Sequence, residues 1–180
     1  MLHLVLQRMH KQINLLGGIA LALFAASAVP SLAWLSLPGL ILLMYLYLQI
    51  DKLGFGSKLF RISLIQLIPM IPAMGFLAYI NLDKSALTNS SMFTYLSIAV
   101  VVALLLFLTY TTYLVAVNLL TLGENSDNLS FKISGVLTKV GAFTMPLMGL
   151  GLLFLVLAQP IFLLGCIMYK EVEVLNKCLN

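Results

Sequence analysis

The stretch Met92–Leu122, MFTYLSIAVVVALLLFLTYTTYLVAVNLLTL, decides the fold. It holds no Asp, Glu, Lys, Arg or His, and no Pro or Gly interrupts it before Gly123. As a helix it would be about 45 Å long. A hydrocarbon core about 30 Å thick needs only roughly 20 apolar residues. The expectation is one long membrane-crossing helix that tilts or projects at its ends.

Four further runs share this character: Ile13–Val29, Leu35–Ile50, Ile62–Ile80 and Val140–Tyr169. None contains an ionisable Asp, Glu, Lys, Arg or His. The first two are short, about 25 Å each as helices, and are joined by Pro30-Ser-Leu-Ala-Trp34. They read as a tight hairpin with Trp34 at the far interface. The last run is as long as the fourth and carries Pro146 and Pro160, which predict a kink. Together these define an all-α, polytopic transmembrane bundle of five helices, at about 13–29, 35–50, 62–80, 92–122 and 140–169. Residues 1–180 form one integral membrane domain.

Composition agrees with that class. Of 180 residues, 62% are hydrophobic and 9% charged, and the mean hydropathy is +1.08. A soluble domain averages about 45–50% apolar and about 25% charged, so a water-exposed fold of this size has nowhere to hide the excess. Disorder requires the opposite balance. The net charge of +4 forms no basic stripe, because Lys and Arg stand at the ends of apolar runs. No nucleic-acid partner is expected. The expected partners are membrane lipids and other membrane protein subunits.

Charge placement predicts orientation. With a cytoplasmic N-terminus, the inner segments hold Arg8, Lys11, Lys52, Lys58, Arg61, Lys132 and Lys139, and the outer ones Lys84, Lys170 and Lys177. That asymmetry satisfies the positive-inside rule and puts the C-terminus outside, in a bacterial inner (cytoplasmic) membrane. A competing reading makes the first run a signal peptide, since Arg8 and Lys11 precede it and Ala26-Ser-Ala28 fits a cleavage site. Two stretches read as interfacial. Residues 1–12 put Leu2, Val5, Leu6 and Met9 on one face. In the cytoplasmic loop 123–139, Leu129, Ile133, Val136 and Leu137 do the same, with Ser126 and Asp127 as candidate caps.

The uncharged runs exclude several chemistries. Haem ligation, a retinal-type Schiff base, a membrane aspartyl pair and a Ser/His or Cys/His nucleophile all need residues that the runs lack. No cofactor, metal or catalytic residue is expected. An enzyme would have to use the loop carboxylates Asp51, Asp83, Glu124 or Asp127 at an interface. Cys166 and Cys178, about 18 Å apart on a continuous helix, are too distant for a disulfide.

What stays polar within the runs is neutral. The fourth run carries Thr109, Tyr110, Thr111, Thr112 and Tyr113 in succession, then Asn118. The third carries Gln66 before Pro69 and Pro72, whose missing backbone donors open the helix. Gln66, Pro69, Pro72, Thr109, Tyr110, Thr112, Tyr113 and Asn118 are the candidate polar core or ligand path. As interhelical ties, each such hydrogen bond is worth about 0.6 kcal/mol. Gly18, Ala22 and Ala26 repeat every four residues and form a candidate helix-packing face. The expected function is a non-catalytic membrane subunit that scaffolds a larger complex through helix packing. The alternative is a transport component, pore or binder of a neutral or apolar small molecule or lipid. An interfacial enzyme ranks third.

Overall fold

The computed structural model describes residues 2–69, 91–145 and 150–169. It is all-helical, and among the described residues there is no strand. The elements are α1 (Leu2–Ser27), a 3-10 helix (Pro30–Leu35), α2 (Ser36–Lys52), α3 (Leu59–Leu67), α4 (Ser91–Asn125), α5 (Leu129–Thr144) and α6 (Leu150–Ile167). Pro72, Asp83, Pro146 and Cys178 lie outside the described residues.

Among the described residues, two helices are long and apolar enough to cross a membrane. One is the continuous helical segment Pro30–Lys52, and the other is Ile98–Asn125 within α4. Two of the five expected spans therefore meet that test as they stand. Gly151–Ile167 is apolar but shorter.

The N-terminal boundary at residue 12 is not a break. Residues 2–27 form a single helix, because no Pro or Gly interrupts the sequence before Gly17 and helix propagation is cheap once nucleated. The 3-10 helix, with no buried residue, turns the chain, and α2 runs back antiparallel to α1. Phe24 covers Gly39 near this turn, while Ile13 and Ile50 meet at the opposite end.

The reading of the C-terminal third needs correction. Residues 140–169 are not one kinked helix, and the amphipathic helix expected within 123–139 forms but runs on to Thr144 and packs against its neighbours along its length. α5 ends at Thr144 and α6 begins at Leu150, so the two form a hairpin. α5 packs lengthwise between α4 and α6. Asn128 caps its start, its Oδ1 accepting from the amides of Ser130 and Phe131 at 2.9 and 3.4 Å. Lys132 and Lys139 therefore belong to a helix inside the bundle, not to a loop.

The hairpin also moves the end of α6. Tyr169 stacks on His10 with ring centroids 4.7 Å apart, and Phe55 meets it edge-on at 6.1 Å. The end of α6 thus lies at the same end of the bundle as residue 10 and the α2–α3 loop, opposite to the expected arrangement. The core concentrates at this end, around Ile13, Leu46, Leu59, Leu122, Phe162 and Cys166. α4 is uneven: Val115, Leu119 and Leu122 are buried, but Tyr95, Ile98, Val102 and Leu106 are exposed.

Candidate functional site

A cavity of about 400 Å³ opens among α2, α3, α4, α5 and α6. Most of its wall is apolar: Leu40, Leu43 and Met44 from α2, Leu108, Val115 and Leu119 from α4, Leu155 and Phe162 from α6. Polar atoms enter at a few points. Gln66 of α3 donates from Nε2 to Oγ1 of Thr112 at 2.9 Å, and both line the cavity with Tyr47, Ser63 and Gln159. Ser134 and Thr138 line it from α5, but their hydrogens are already committed. Ser134 Oγ donates to the Ala158 carbonyl at 2.8 Å and Thr138 Oγ1 to the Ser134 carbonyl at 2.7 Å. Among the described residues, the carbonyl oxygen of Gln66 and the amide of Gln159 make no hydrogen bond.

Position follows from tight seams elsewhere. A Cβ on Gly135 would come within 2.9 Å of the Leu120 backbone nitrogen, and one on Gly123 within 2.7 Å of that of Lys132. α4 and α5 are thereby in near-backbone contact. Gly151 is tighter still, at 2.6 Å from the Gly141 carbonyl oxygen and the Met145 backbone. These seams fix α5, and with it Ser134 and Thr138, against the cavity wall.

α3 is held by a different device. Asp51 accepts from Ser57 Oγ at 2.8 Å and from the amides of Leu59 and Phe60 at 3.0 and 2.9 Å, which caps the helix that carries Gln66. Gly54 and Gly56, at φ +79° and +76°, supply the left-handed turns that bring the chain round. Asn118 accepts from the Lys58 amide at 2.8 Å, and Asn125 donates to the Phe55 carbonyl at 2.7 Å. The loop is so pinned to α4.

The seven sequence candidates among the described residues disperse. Gln66 and Thr112 face the cavity together. Thr109 reaches Met145 Sδ at 3.9 Å. Tyr110 is 61% exposed. Tyr113 lies edge-on to Phe143 at 5.7 Å, with Lys139 Nζ 5.9 Å from its ring centre. Asn118 ties the loop, and Pro69 follows the end of α3. Their neighbour Thr111 is buried and donates to its own helix at Phe107 and Leu108. Ser63, Ser134 and Thr138 were missed as lining residues, the last two because residues 123–139 read as a surface segment. Of the Gly18–Ala22–Ala26 face, a Cβ on Gly18 would meet nothing within 4 Å among the described residues, Ala22 is exposed and Ala26 is half-buried. The close contact belongs to Gly17, whose Cβ would lie 2.9 Å from that of Cys166.

Among the described residues the lining offers amides, hydroxyls and hydrocarbon, with no carboxylate, Lys, Arg or His. Such a lining is complementary in chemistry to a neutral, mainly apolar surface with a hydrogen-bonding group or two. Of the carboxylates weighed earlier for interfacial chemistry, Asp51 is engaged as a cap and Asp127 pairs with Lys132 at 3.2 Å. Comparison with family models, curated proteins and solved structures finds no match.

Proposed function

We propose that this chain is an integral membrane protein that binds one small, neutral and mostly apolar molecule within its helix bundle. The observation that carries the reading is the cavity of about 400 Å³ with the Gln66–Thr112 pair in its wall. Ligand sites commonly measure about 300–1,000 Å³, with few polar groups on apolar walls. In this reading α1, α2, the third apolar run, α4, α5 and α6 cross the bilayer, and both chain ends lie on one side. Arg8, Lys11, Lys52, Lys58, Arg61 and Lys132 then share the cytoplasmic side, which the positive-inside rule favours. The membrane is the inner membrane of a bacterium.

The test is native mass spectrometry of the full chain released from mild detergent. The wild type should carry a small lipophilic adduct. Leu40→Trp, which adds bulk at a half-open wall position, should lose it, and Gln66→Leu should weaken its retention. An adduct absent from wild type, or retained equally by Leu40→Trp, rejects the reading.

A second reading, a scaffolding subunit of a larger membrane complex, is favoured by the α1 face. Gly18 and Ala22 turn away from the chain's own bundle, as a face reserved for another helix would.

A further inference from the structure

We infer that the outer face of α4 and α5 is a docking surface for a transmembrane helix of another protein that carries one carboxylate, with Lys139 as its counter-charge. The inference rests on the membrane-spanning reading above. Lys139 lies ten residues beyond Leu129, the start of α5, or about 15 Å along the helix. Its Nζ sits 5.9 Å from the centre of the Tyr113 ring. Tyr113 is near the midpoint of the apolar segment Ile98–Asn125. The first measure sets the ammonium about 15 Å from the Leu129 end of α5 and five residues short of its other end at Thr144, and the second sets it beside the middle of the apolar segment of α4.

The two cations of α5 differ in their surroundings. Lys132, at the bundle end, pairs with Asp127 at 3.2 Å. Among the described residues, Lys139 meets the ring of Tyr113 and has no carboxylate within ion-pair distance. Around it the surface is apolar and open, with Tyr110, Val136, Val140 and Phe143 exposed. A cation at membrane depth is costly unless paired, and such residues as a rule pair with an opposite charge. One cation–π contact offsets only part of that cost.

The occupant follows from depth and charge. A lipid phosphate stays at the interface, about 15 Å from the midplane of a core about 30 Å thick, beyond the reach of a lysine side chain at mid-depth. A second copy of this chain offers no match, because its Asp and Glu all flank the apolar runs. A helix from another protein can place a carboxylate at any depth, and apolar side chains around it would cover Val136 and Phe143.

The experiment uses the full chain in phosphatidylcholine vesicles with a synthetic polyleucine helix of roughly 20 residues. The helix bears one central Glu, or Leu in its place, and association is read by energy transfer at mildly alkaline pH. The Glu helix should associate about tenfold more tightly than the Leu helix. Lys139→Met should abolish that advantage, while Lys139→Arg and Lys132→Met should keep it. Equal association of the two helices with wild type overturns the proposal, as does a Glu advantage that survives Lys139→Met. Loss of the advantage on adding phosphatidylglycerol assigns the lysine to lipid headgroups and overturns it too. Separately, Lys139→Cys should resist a water-soluble maleimide that labels Lys52→Cys. Equal labelling would sink the membrane reading itself, whereas protection without Glu-helix preference would sink only the docking surface.

Discussion

Helix α1 and the α5–α6 hairpin both display small residues, and they use them in opposite ways. On the hairpin, Gly141 and Gly151 bring two backbones so close that a Cβ on Gly151 would lie 2.6 Å from a carbonyl oxygen. On α1, Gly18 faces open space while its neighbour Gly17 meets Cys166. Adjacent helical positions are about 100° apart, so one residue of rotation separates a packed face from an empty one. A small residue permits close approach; only the partner's position decides whether the approach occurs.

The largest expected effect is at the hairpin. Gly151→Leu must push aside backbone atoms of Gly141 and Met145, which have no rotamer to retreat into. Overpacking costs about 1–3 kcal/mol where neighbours can adjust, and here the loss should reach or exceed the top of that range. Thermal unfolding in detergent, followed by Trp34 fluorescence or circular dichroism, should show it as a marked drop in midpoint or in folded yield. A midpoint equal to wild type would mean the seam is looser than its geometry.

The adjacent glycines of α1 make a sharper comparison with the next-largest effect. Gly17→Ala meets Cys166 Cβ at 2.9 Å and should lower stability by about 1 kcal/mol, the low end of overpacking costs. Gly18→Ala meets nothing within 4 Å and should be neutral or mildly stabilising, since Ala is the better helix former. The same unfolding assay, run on both, should separate them in that order. Reversal of the pair would put α1 in a different rotation.

Cavity polar groups should matter less to stability. Gln66→Leu and Thr112→Val each remove one interhelical hydrogen bond, worth about 0.6 kcal/mol and rarely beyond about 1.7. Both should fold and unfold nearly as wild type does, while retention of the bound adduct falls. A loss of several kcal/mol would make the pair a structural tie instead.

Smallest of all, for the isolated chain, is Ala22→Leu. Its side chain is exposed, so stability should stay within about 0.5 kcal/mol of wild type. Its use is in the comparison of masses under mild detergent. A higher-mass assembly present in wild type and lost in Ala22→Leu marks the α1 face as the site of a partner subunit. Identical masses would leave that face to lipid.

Much of the architecture was legible in the residue order. Long uncharged runs fixed the all-helical class, the long α4 and the α1–α2 hairpin with its exposed Trp34, because helix length and apolarity are local properties. The α5–α6 hairpin was not legible. Pro146 within an apolar run predicts a kink or a turn with equal force, and the amphipathic pattern around Ile133 and Val136 fits a surface helix as well as one with an exposed flank in a bundle. Reading it as a surface segment hid Ser134 and Thr138 from the cavity and put Lys139 in a loop.

The sequence by itself determined that this chain is dominated by apolar helical runs, that the five uncharged runs hold only neutral polar groups, and that Gln66 and Thr112 are among those groups. Only the tertiary structure decided that Gln66 meets Thr112 in the wall of a cavity while Tyr110, two residues away, faces outward. It also decided that Gly17, not Gly18, is the point of contact, and that Lys139 stands beside the ring of Tyr113. The reason is physical. Hydrophobicity sets whether a residue is withdrawn from water and has no direction. Facing, register and depth are set by close packing between particular backbones, and those distances are fixed only once all the helices are in place.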